Sequence, residues 1–151
     1  IPEAVATAQL PHWNEALANM DQMVNDLRAQ LNAAEGEWEL ADIWWSSMAR
    51  REKGVDADVI RQWPLTAGEC KGWALLEKGY AEEARKAFQE AMYSNPVSGL
   101  GLVGLSRSFA AEGNAEKAER ALRLAKVFLS EPDPVVAKNY LDEQLVEAEG
   151  E

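Results

Sequence analysis

Two stretches of this chain repeat one another at a fixed offset, and that repetition restricts the fold more than any other feature. Between Leu65 and Ser130, small residues recur at Gly72, Ala84 and Ala91, with Gly79 between two halves, Leu75 and Phe88 as large apolar positions, and Pro96 at the close. Moving 34 positions on gives Ser106, Ala118 and Ala125 as the small residues, Gly113 between the halves, and Phe109 and Leu122 as the large ones. Only Pro96, opposite Ser130, lacks a counterpart. A unit of this length that repeats without insertion is one supersecondary element, unable to bury its apolar face until it stacks on a neighbour. Each half carries helical spacing, so each unit reads as two helices joined at a glycine that frees the backbone for the turn. Helices are predicted at about 67–78, 81–93, 99–112 and 115–129. Thr66 and Glu69 stand at capping-box spacing before the first, Asn95-Pro96 turns between units, and Asn114 caps the last.

Small residues, a mid-unit glycine, an aromatic and a closing proline at this period resemble the tetratricopeptide repeat. The resemblance covers about 66 of 151 residues. It implies an all-α fold of antiparallel helix hairpins in a short right-handed solenoid, with Phe88 and Leu75 filling the space between helices that the small residues let approach. For function it implies a class, protein interaction, because unrelated roles share such domains. In tetratricopeptide arrays the first helix of each hairpin lines a concave groove that holds an extended or helical peptide. Carried onto the aligned positions, that expectation nominates Glu69, Trp73, Leu76 and Glu77 from the first unit and Leu100, Val103 and Arg107 from the second. Trp73 and Arg107 occupy the same place in successive units, and Trp and Arg are enriched among residues that dominate interface energies. The alternative is a groove covered by the tryptophan-rich N-terminal hairpin, with Trp73 as core. The family's carboxylate clamp is not matched: Glu69 and Trp73 stand where its first Lys and Asn belong, and Gly104 where the next Asn belongs. A more apolar peptide is the expected occupant.

Upstream, Leu10, Trp13, Leu17, Met20, Val24, Leu27, Leu31 and Ala34 alternate by three and four, a heptad seam on a helix that opens at Pro11 after a short, frayed lead-in. The seam either pairs two chains or packs on the chain's own next helix, whose tryptophans favour the second arrangement. Gly36 interrupts it, and a helix over about 37–53 carries Trp38, Ala41, Trp44, Trp45, Met48 and Ala49, a wide face that suggests neighbours on two sides. A short helix from about Asp56 to Trp63, stopped by Pro64, completes a degenerate repeat. After the regular units, Asp133 and Pro134 open a last helix, about 134–148, that suits the capping role a repeat stack requires. The whole is expected to be a single all-helical domain over 1–151, with N-terminal helices at 12–63, two repeats at 65–130 and a capping helix at 133–148.

A net charge of −11 argues against a basic nucleic-acid surface. Residues 1–49 hold eight acids against one base and residues 131–151 seven against one, while residues 50–130 hold 11 acids and 13 bases. These acidic ends are solvated faces, or one of them docks on a basic partner or folds back. Cys70 is the only cysteine, which excludes an internal disulfide and leaves the compartment open, bacterial cytoplasm or periplasm alike. No apolar run approaches the ~20 residues of a membrane helix. The start at Ile1 instead of Met suggests an excerpt or a processed chain. Gly99, Gly101 and Gly104 satisfy G-x-G-x-x-G but follow a helix and a turn, not a strand, so they read as close helix packing instead of a dinucleotide site. His12 is a lone histidine, and the acids at Glu35, Glu37, Glu39, Asp56 and Asp58 stand at helix starts, where they meet the helix dipole. No catalytic set, metal site or cofactor is expected. The expected function is a protein-protein interaction module, a small adaptor or assembly factor of bacterial character. The alternatives are a structural homo-oligomer built on the N-terminal seam and a secretion-type chaperone resembling the small acidic tetratricopeptide chaperones.

Overall fold

The computed structural model describes residues 11–54, 65–131 and 133–149. They form α1 (Pro11–Ala34), α2 (Trp38–Gly54), α3 (Ala67–Glu77), α4 (Ala81–Ser94), α5 (Gly99–Ala111), α6 (Ala115–Phe128) and α7 (Pro134–Glu149), and the described residues contain no strand. The fold is all-α. The lead-in before Pro11 and the short helix expected over Asp56–Trp63 lie outside the described residues. Among the described residues no helix is long and apolar enough to cross a membrane.

Local chemistry sets the helix ends. Gly36, Gly79 and Gly113 take φ of 84°, 87° and 84°, the left-handed region that a side chain disfavours, and each closes a helix. At the starts, Thr66 accepts from the Glu69 N–H while Glu69 Oε2 accepts from the Thr66 N–H at 2.7 Å, a complete capping box. Asn114 accepts from the Lys117 N–H at 3.1 Å, and Asp133 Oδ1 accepts from the N–H groups of Val135 and Val136 at 2.8 and 3.3 Å. Ser98 caps α5 through the Gly101 N–H at 3.0 Å.

The chain divides into two compact units, residues 1–64 and 65–151. In the first, α1 packs along α2. The face of α1 that packs is not the heptad seam. Its buried line is Asn25, Asp26, Ala29 and Ala33, whereas Leu17, Met20, Val24, Leu27 and Leu31 are exposed, Leu27 at 56% and Leu31 at 64%. The expected packing of the seam on α2 is thus corrected, and the reason lies in the tryptophans. Trp45 of α2 is buried, as are Ala29 and Ala33 on this line, and Asp26 gives its indole N–H an acceptor at 3.4 Å that no leucine could supply. Asp26 is itself satisfied on both oxygens, Oδ2 accepting from the Gln30 amide at 2.7 Å. Trp44 needs no second helix either: Arg28 of α1 lies over its ring at 4.7 Å.

In the second unit, α3 and α4 form one hairpin and α5 and α6 another; α4 also packs on α5, and α3 lies beside α5. Phe88 is the centre of this packing. A Cβ at Gly72 would stand 2.9 Å from its ring and one at Gly104 only 2.3 Å, so the ring of α4 occupies a slot between α3 and α5 that exists because both positions lack a side chain. Leu122, the matching residue of the second hairpin, has no following hairpin to lie against among the described residues and is 38% exposed. The last helix, α7, buries Ala137, Tyr140 and Leu141. It meets α4 in helix packing and α6 through Arg120, which lies over the Tyr140 ring at 5.6 Å and pairs with Glu143.

Candidate partner-binding face

The first helices of the two hairpins, α3 and α5, present the residues nominated from the sequence, with one exception. On α5 the packing demand is high, since Gly99, Gly101, Leu102, Gly104, Leu105, Ser106, Ser108 and Phe109 are all buried. The residues left over are Leu100, Val103, Arg107, Ala110 and Ala111, and the first four follow one another by three or four, a single open line along the helix. Ala110 continues the line one turn past Arg107, a position that the same spacing reaches from Leu100.

Across from that line, Trp73 and Leu76 of α3 are half-buried and Glu77 is exposed at the helix end. Trp73 packs edge-on against Phe88, ring centroids 5.1 Å apart at 77°, which fixes the indole from below. Arg107 covers it from above, its guanidinium carbon 5.4 Å from the ring centroid. Phe88, Trp73 and Arg107 therefore form a stack that ties the hairpins together and ends in a charge. Other arginines of this unit are matched to carboxylates: Arg85 to Glu112 at 2.9 Å, Arg123 to Glu119 at 2.6 Å, and Arg120 to Glu143. Arg107 rests on an indole instead and has no carboxylate partner among the described residues. Its donors are aimed by the stack and remain available for an acid brought from outside.

Glu69 is the exception. It shares the face of Trp73 by helical spacing, yet it is only 1% exposed. One carboxylate oxygen completes the α3 capping box, and the other accepts the hydroxyl hydrogen bond of Ser98, which caps α5. Its role is internal: it joins the N-terminal ends of the two first helices and leaves nothing to offer a partner. The capping-box spacing with Thr66 was the sequence signal for this, because it already commits the carboxylate to the helix's own backbone.

The three glycines at G-x-G-x-x-G spacing each face a packed neighbour: Gly99 the side chain of Leu129, Gly101 those of Glu69 and Met92, Gly104 the Phe88 ring. They sit inside a helix and serve close approach. Cys70 is buried. No protein family, curated protein or solved structure matches this chain.

Proposed function

We propose that this chain is a protein-interaction module of the tetratricopeptide kind, an adaptor or assembly factor that holds a peptide segment of a partner along α3 and α5. The observation that carries this reading is Arg107, positioned over Trp73 within an open, otherwise apolar line and without a carboxylate of its own among the described residues. The matching ligand is a short segment with apolar side chains for Leu100, Val103 and Ala110 and one acidic group for the guanidinium. Leu100 is 42% exposed, so the line is open to contact without unfolding any helix. Glu69, buried and committed to the starts of both α3 and α5, gives a rigid frame on which such a segment can dock.

The test is a selection of random peptides on the full chain, followed by calorimetric titration of the enriched sequences. Arg107→Ala and Leu100→Asp each replace an exposed side chain; Leu100→Asp leaves the hairpin packing untouched, and an unchanged thermal midpoint checks that losing the Arg107 cover of Trp73 does not part the hairpins. Each is expected to weaken binding by about tenfold or more, roughly 1.4 kcal/mol, as for a residue at the centre of an interface. Enriched peptides that bind both variants as tightly as the parent would place the interaction elsewhere.

A further inference from the structure

The first unit leaves one face without a purpose. Leu17, Met20, Met23, Val24, Leu27 and Leu31 are all exposed on α1, each between 42% and 64%. The opposite side of the same helix, with Ala29 and Ala33, packs on α2. The helix is thus apolar on a side that its own hairpin does not use. Those exposures leave roughly 600 Å² of mostly apolar surface per copy, set against the ~800 Å² per partner of a standard interface. The stems of Asp21, Arg28 and Gln30 along its margins supply the difference. A patch of that size on a single helix exceeds what scattered surface residues produce.

Spacing decides what can cover it. Leu17, Val24 and Leu31 form one row and Met20 and Leu27, continued by Ala34, the other, alternating by four and three as in the knobs-into-holes seam of two helices. Such a seam is complementary to itself. We infer that α1 binds a second copy of this chain along this seam, and that the two helices run antiparallel. The orientation follows from the flanks, which are Asp21, Arg28 and Glu35 on one side and Ala16, Met23 and Gln30 on the other. A parallel pair would set Ala16 against Asp21, Met23 against Arg28 and Gln30 against Glu35, so no opposite charges would meet. An antiparallel pair centred between Val24 and Leu27 brings Asp21 to Arg28 of the second copy, twice, through the two-fold axis. Both groups are already held at the margin of the seam. Arg51 binds Oδ2 of Asp21 at 2.6 Å, leaving Oδ1, and the Trp44 ring supports Arg28 at 4.7 Å. The inference concerns the first unit alone and is independent of the peptide face on α3 and α5.

Sedimentation equilibrium on the full chain is expected to give a dimer at high micromolar concentration. Leu27→Glu is expected to yield a monomer whose thermal midpoint equals the parent's at concentrations dilute enough for the parent to be monomeric too, because Leu27 contributes nothing to the hairpin's buried line. Orientation is read by cysteine crosslinking, with the native Cys70 buried and out of reach. Mixed Met20→Cys and Leu31→Cys chains, one of them carrying a mass tag, are expected to form the tagged-untagged disulfide in clear excess over either variant with itself. A monomeric parent chain would overturn the proposal. So would a Leu27→Glu midpoint below the parent's at those dilute concentrations, since the seam would then be covered by the same chain. Crosslinking of each variant mainly with itself would overturn the antiparallel arrangement.

Discussion

Replacing Gly104 by alanine sets two effects of known size against each other. Glycine in a helix interior costs about 1 kcal/mol relative to alanine, so propensity alone makes Gly104→Ala stabilising. Packing says the opposite. The new Cβ would stand 2.3 Å from the Phe88 ring carbons, against the ~3.5–4.0 Å of an ordinary carbon contact. The ring would have to move by more than about 1 Å, and it cannot retreat toward α3, because its edge is 2.9 Å from where a Cβ at Gly72 would be. Overpacking of this kind costs about 1–3 kcal/mol, and with no free direction the upper half of that range applies. The net expectation is a loss of about 1–2 kcal/mol, or about 4–16 °C in Tm for a unit of this size. Urea unfolding followed by far-UV circular dichroism measures the loss, and hydrogen exchange in α3 and α5 localises it. Gly99→Ala is the comparison: its Cβ would meet the side chain of Leu129 at 2.8 Å and its backbone N at 3.3 Å; the side chain is 61% exposed and can swing aside while the backbone must give slightly, so the loss should be smaller than for Gly104→Ala, about 1 kcal/mol or less. Phe88→Leu in the Gly104→Ala background should recover part of the loss, with a coupling of about 1 kcal/mol. A Gly104→Ala chain as stable as the parent, or a double variant whose losses simply add, would refute the slot.

Glu69→Ala should cost about 2–4 kcal/mol in urea unfolding, since it orphans the Thr66 N–H and the Ser98 anchor together. Glu69→Gln should cost about half as much, because its carbonyl oxygen can still serve one of the two; equal losses would mean that only side-chain volume matters at this position. Asp26→Ala removes the acceptor of the Trp45 indole and should destabilise the first hairpin by about 1–3 kcal/mol, read as faster hydrogen exchange in α1 and α2. The Tyr93 phenol is held above its ordinary value of 10.0 by partial burial first and by Asp142 of α7 second. The folded chain therefore keeps that proton longer than the unfolded one. The stability linked to it is intact below about pH 10 and falls as pH rises through the higher folded value. Urea midpoints at about pH 9 and pH 11 should fall less for Tyr93→Phe than for the parent; equal falls would remove Tyr93 from the α4–α7 contact.

What could be read from the sequence was what depends on neighbours in the chain or on the repeat itself. Gly79 and Gly113 closed helices where the pattern placed them, and Thr66, Asn114 and Asp133 cap helices, because a turn or a cap involves only a few consecutive residues. Trp73 and Arg107 meet because a residue and its counterpart 34 positions on occupy the same place in adjacent hairpins. The inner face of α1 could not be read that way. Two candidate faces run along that helix, and apolar periodicity selects the leucine seam; the alanine face wins because a tryptophan on the other helix requires an acid opposite its N–H, a pairing visible only once the helices are in register. Glu69 was assigned outward by the groove positions that the repeat resemblance implies. A face assignment does not anticipate a carboxylate that serves two helix starts at once.

Phe88 belongs to two hairpins, and this gives the array a direction. The ring comes from one hairpin and half of its socket from the next, so the units cannot be exchanged: placed second, Phe88 would lose the floor at Gly104, and placed first, Leu122 would leave that floor partly empty. The same logic says what would lengthen the array. A further hairpin would have to bring a small residue to the place that follows Gly104 by one period, to close over Leu122. The residue there is Lys138, exposed on α7, and so a single long charged side chain standing where a small one is required interrupts the repetition within the chain itself.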